Sequence, residues 1–169
     1  MKILIIGTID TAFEDREEAF CEYLSGELKM KGYETDVCYL PFKRDMINAA
    51  EQVFAYSLVN TSRADAIVTV GYPACFVPHH NEKKVCYLFD CYPEIHDSFS
   101  FKLREHRVEE RKKIVEGLAL AEIKALSKAR VFMASEELKC EVNARCKTDG
   151  HFILPNDVAL ADRIAGALL

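Results

Sequence analysis

"AIVTVGYPACFVPHHNEKKVCYLFD", residues 66–90, decides the fold. A short apolar run stands at each end of it. "AIVTVG" (66–71) is β-branched and closed by Gly71, and "KVCYLFD" (84–90) stops at Asp90. Neither run alternates polar with apolar residues. Such runs suit strands buried on both faces, as in a parallel sheet covered by helices. Between them, Pro73 is placed to start a short helix and Pro78 to end it.

The pattern recurs on either side. "KILIIG" (2–7) and "RVFMAS" (130–135) are strands of the same kind, and "ETDVCYL" (34–40) and "HFILPN" (151–156) are further ones. Helical periodicity fills the gaps. Residues 15–31 place Phe20, Tyr23, Leu24 and Leu28 on one apolar stripe, and Gly32 follows as a helix C-terminus favours. Residues 45–60 space Ile47, Ala50, Val53, Phe54 and Leu58 comparably. Residues 105–128 turn Val115, Leu118, Ala119, Ala125 and Leu126 inward, with charges elsewhere. Short helices are expected over 135–145 and 157–168, the last with Val158, Ala161, Ile164 and Leu168 on one side. Strand and helix alternating, with right-handed crossovers, predict one α/β domain over residues 1–169. It is a three-layer Rossmann-like domain with a mainly parallel sheet of about six strands.

Composition narrows the function. At 169 residues, 50% hydrophobic and 29% charged, the chain can bury a core and is not a disordered tract. No apolar run approaches the roughly 20 residues that cross a bilayer, and "MKILIIG" is too brief for a secretory signal. A formal net charge of -5 opposes nonspecific binding to nucleic acid, which comes from neutralising phosphates. The basic cluster Arg107, Arg111, Lys112 and Lys113 is interleaved with Glu109 and Glu110, the pattern of a solvated helix face. Seven cysteines, an odd number with no C-x-x-C pair, read as reduced thiols of a cytoplasmic protein. No metal and no cofactor is expected.

Sheets of this type bind ligands beyond the carboxyl ends of their strands. Those ends lead into the loops after Gly7, Leu40, Gly71, Asp90, Ser135 and Asn156. The first loop, "GTIDTAFEDREE", lacks the G-x-G-x-x-G of a dinucleotide site and sets Asp10, Glu14, Asp15, Glu17 and Glu18 around the next helix terminus. Acids there suit the helix dipole but repel phosphate. No P-loop and no G-x-S-x-G elbow is present. His79 and His80 are adjacent and read as solvated loop histidines. The loop opening at Asp90, "DCYPEIHDSF", is the longest and most polar. Its Asp90, His96 and Asp97 can hold sugar hydroxyls or handle a proton, and equally can cap a turn and face water. Tyr92, Phe99 and Phe101 add exposed aromatic surface of the kind that lines ligands.

Three segments together resemble the N-terminal half of a GT-B glycosyltransferase of the retaining family-4 type. "ADAIVTVGYPACFVPHHNEKKVCYLFDCYPEIHDSF" is similar to its strand–short helix–strand segment with an aromatic-acid loop. "EIKALSKARVFMASEELKCEV" is similar to its long helix and following strand, and "HFILPN" to the strand that leads into its interdomain linker. The resemblance implies an acceptor-binding half that works with a nucleotide-sugar donor domain, in a separate chain or a missing C-terminal half. That domain's E-x7-E pair has no counterpart here. Two departures from the family stand out: the first loop is acidic rather than glycine-rich, and Asp90 replaces the histidine usual after the fourth strand.

The expected acceptor-binding residues are Gly7, Thr8, Asp10, Tyr72, Asp90, Tyr92, His96, Asp97, Ser135 and Asn156, with no catalytic residue assigned. The expected ligand is a sugar-type acceptor; a homodimer is left open. Two other readings compete: a non-catalytic binding module for a small nucleotide or sugar effector, and an interaction protein that docks through the strand-end loops.

Overall fold

The computed structural model describes residues 1–10, 16–42, 46–81, 83–90 and 108–169. Six strands, all parallel, form one sheet: β1 (Lys2–Asp10), β2 (Glu34–Phe42), β3 (Ala66–Val70), β4 (Lys84–Leu88), β5 (Arg130–Met133) and β6 (His151–Phe152). Their order is β2-β1-β3-β4-β5-β6. The helices are α1 (Arg16–Met30), α2 (Met46–Ser57), α3 (Val108–Leu126), α4 (Glu136–Cys146) and α5 (Leu160–Leu168), with a 3-10 turn over Pro73–Phe76.

The side-chain period of a strand divides the core into two layers. Ile3 and Ile5 of β1, Val68 and Val70 of β3, and Tyr87 of β4 face α1 and α5. Ile6, Ile67, Cys86 and Leu88 face the other way, toward α2, α3, α4 and the 3-10 turn. The expected three-layer Rossmann-like arrangement is therefore present. β3 and β4 are buried along their whole length, as unbroken apolar runs require. Pro73 does open the 3-10 turn, and Gly32, at φ 85°, follows α1 in the left-handed conformation.

Several boundaries and faces differ from the sequence expectation. β1 runs three residues past Gly7, because its pairing with β2 continues to Asp10 opposite Phe42. β6 is two residues long rather than six. Ile153 adds one more backbone bond to Met133, then Pro155 brings no N–H and the chain turns, with Asp157 N–H donating to Leu154. Tyr23, Phe54 and Leu58 are exposed, not core-facing. In α2 the buried place belongs to Tyr56, three residues beyond Val53. Val158 lies outside α5 and is 90% exposed. In α3 the buried stripe is Leu118, Glu122 and Leu126 at i, i+4, i+8, so a carboxylate stands where only apolar residues were expected. Arg145 of α4 meets it at 2.8 Å.

Among the described residues no helix is long and apolar enough to cross a membrane. The six described cysteines are free thiols.

Candidate functional site

The strand order reverses between β1 and β3: β1 leads to β2 on one side and to β3 on the other. Ligand crevices in open α/β sheets form at the carboxyl end of such a reversal. Here that position is built from the ends of β1, β3 and β4 and the first turn of α1.

Its centre is Glu17. The apolar stripe of α1 holds Phe20, Cys21, Leu24 and Leu28, and Glu17 extends it by one turn at i−3 and i−4. The helix thus aims a carboxylate at the sheet. Thr8, buried near the end of β1, donates its hydroxyl to Glu17 Oε2. Gly71, at φ 84°, closes β3 directly beneath, and a Cβ there would run into the Glu17 carboxyl group. Glycine is needed at this position twice over, for its backbone angle and for the space.

Burial pushes the Glu17 carboxyl up to about 7, and the neighbouring Asp90 charge adds to the rise. The Thr8 hydrogen bond and Arg16 oppose it. A carboxyl that titrates near neutrality can accept or release a proton under ordinary conditions. Arg16 lies between two partners, Asp90 at 3.8 Å and the face of Phe89 at 4.4 Å from the ring centroid. Phe89 in turn packs against Phe20 and Tyr87. Behind the crevice, the buried Tyr56 donates to the carbonyl of Pro41, and burial together with the Glu17 charge raises its phenol.

The expected residues divide into those that gather here and those that do not. Thr8 and Asp90 belong to the crevice. Gly7 is a packing glycine inside β1: a Cβ would meet Cys21 Sγ at 2.8 Å. Asp10 ends β1. Tyr72 is a core residue, its ring edge-on to Phe76 at 5.5 Å. Ser135 is the N-cap of α4 and accepts from the Leu138 N–H at 3.1 Å. Asn156 is exposed in the turn after β6. Tyr92, His96, Asp97, Phe99 and Phe101 lie outside the described residues. Glu17, Arg16 and Gly71 were not singled out as ligand residues, although Glu17's place on an apolar stripe is a signal for it.

His79 is less solvated than expected. Its ring meets Thr61 Oγ1 at 3.1 Å and the Asp65 carbonyl at 3.4 Å, and burial lowers its pKa. Among the described residues no group of three or more His, Cys, Asp or Glu side chains is placed to hold a metal ion.

No family model matches the chain, and no curated protein matches it. The fold and the crevice define a parallel, doubly wound α/β domain with a protonatable carboxyl at its topological reversal.

Proposed function

We propose that the chain is the acceptor-binding half of a glycosyltransferase, working with a nucleotide-sugar donor domain. One observation carries this reading: Glu17 occupies the place above Gly71 where a phosphate-binding domain would leave bare backbone. A half-buried carboxylate repels phosphate and accepts hydrogen bonds from hydroxyls. Thr8, Glu17 and Asp90 offer oxygen partners to a polyhydroxylated molecule. Glu17 is also suited to take the proton from an acceptor hydroxyl as it attacks the donor sugar. In that step the acceptor oxygen forms the new glycosidic bond, the sugar–phosphate bond breaks, and the nucleotide leaves from the other half. The resemblance of "YLFDCYPEIHDSF" to an acceptor-side loop points the same way, and in it Tyr92, His96 and Asp97 are the further acceptor-binding residues that the resemblance implies.

A panel of mono- and disaccharides tested against the chain by saturation-transfer NMR checks the reading. Saturable binding of at least one saccharide is expected, weakened about tenfold or more by Glu17→Gln and by Asp90→Ala. Binding of saccharides that both variants leave untouched would overturn it, as would binding of none. An added donor domain that raises no transfer would instead favour a sugar-effector module using the same crevice.

A further inference from the structure

At the opposite end of the sheet, the starts of β4 and β5 carry positive charge. An open groove of about 750 Å³ lies at the amino ends of β4 and β5, bounded by the ends of α2 and α3 and the loop after the 3-10 turn. Lys84, Lys124, Lys128 and Arg130 line it with His79 and His80, and no aspartate or glutamate is among its described lining residues. The sheet itself fixes part of this arrangement. Lys84 opens β4 and Arg130 opens β5, and the parallel register sets Arg130 beside Val85, one residue from Lys84. Val53, Phe76 and Pro78 give the groove an apolar side.

Lys84 is the unusual member. It is 4% exposed, and its ammonium donates to the carbonyls of Cys75 at 2.6 Å and Val77 at 2.8 Å. Two carbonyls leave the third N–H of an ammonium and its whole charge uncompensated by any described carboxylate. The buried acid on α3, Glu122, is engaged by Arg145 instead. A simpler role for these cations is to offset helix ends, because α2 and α3 both finish here. Each helix end supplies roughly half a negative charge. Two ends therefore balance about one of the four cations in the groove. A positive surplus remains in a recess large enough for a small ligand.

We propose that this groove binds a phosphate-bearing small molecule, with Lys84 at its base and Lys124, Lys128 and Arg130 around its rim. The site is independent of the carboxyl-end crevice and of the reading given to that crevice. It is a binding site only; no bond is made or broken there.

The test is heteronuclear NMR and calorimetry of the full chain with inorganic pyrophosphate. Saturable binding is expected, with shifts confined to His79, His80 and the amino ends of β4 and β5, and with the crevice signals of Thr8 and Gly71 still. The triple variant Lys124→Gln, Lys128→Gln and Arg130→Gln, all exposed positions, should fold normally and bind at least about tenfold more weakly. Lys84→Met should abolish binding; should that variant unfold, the triple variant alone decides. Pyrophosphate that shifts nothing in the groove, or that binds the triple variant as well as the parent chain, overturns the proposal. Vesicles of anionic phospholipid form a second arm: capture by vesicles without binding of soluble pyrophosphate also overturns it.

Discussion

At the scale of single residues, Glu17 and Gly71 bear the heaviest constraints. The Glu17 carboxyl titrates near 7 in the folded chain against about 4.5 when solvated, so between these values the folded state holds the extra proton. This group's contribution to stability is therefore full below about pH 4.5 and is lost as pH rises through 7, by up to roughly 3 kcal/mol. Urea unfolding at pH 5 and pH 8 should show that Glu17→Gln removes much of this slope and leaves the variant more stable than the parent at pH 8. Gly71→Ala should cost about 2 kcal/mol or more, from its left-handed backbone and the collision with Glu17. A double-mutant cycle with Glu17→Ala should recover part of that loss. Both residues were visible in the sequence, but not their meeting. Glu17 stood among five acids that read as dipole partners, although its spacing from Phe20, Cys21 and Leu24 puts it on the core face of α1. Gly71 read correctly as a strand end, yet no local pattern told which side chain would rest on it.

At the scale of elements, buried polar pairs tie helices together where the periodicity showed only apolar stripes. Glu122 of α3 is fully buried against Arg145 of α4. Removing one member of such a pair strands the other charge. Arg145→Ala should cost roughly 3–5 kcal/mol by urea unfolding, more than the Glu122→Gln, Arg145→Met double replacement. Ser135→Ala should cost about 1 kcal/mol through loss of the α4 cap, with saccharide binding unchanged. That contrast separates a capping serine from a ligand residue. Strand identity was legible because β3 and β4 are unbroken apolar runs, and the helices were legible in place, whereas the side chains on their buried faces were legible only in part. The errors have a common cause. Tyr56 and Glu122, themselves buried, reach partners that lie far away in sequence, and Tyr56 takes the buried place that a periodic pattern assigns to Phe54.

At the scale of the whole molecule, charge is divided along the sheet: a carboxyl where β1 and β3 finish, cations where β4 and β5 begin. The parallel order was readable from alternating elements, whereas this division of charge was not, since it depends on which strands lie side by side. If the chain is one half of a sugar-transferring pair, consumption of nucleotide-sugar should be undetectable with the chain alone and should begin when a donor-binding domain is added. The sheet is also lopsided at its margins. β6 offers two residues at one border, but β2 offers nine at the other, Glu34–Phe42. A border that long is a template on which another strand can grow, the first step toward fibrils. Its sequence carries deterrents: Glu34 and Asp36 are exposed charged residues, although both pair with Lys2 of β1, Pro41 contributes no N–H, and the Pro41 carbonyl is already held by Tyr56. A strand arriving at that border meets exposed charged side chains at one end and a broken hydrogen-bond ladder at the other, and both disfavour growth along it.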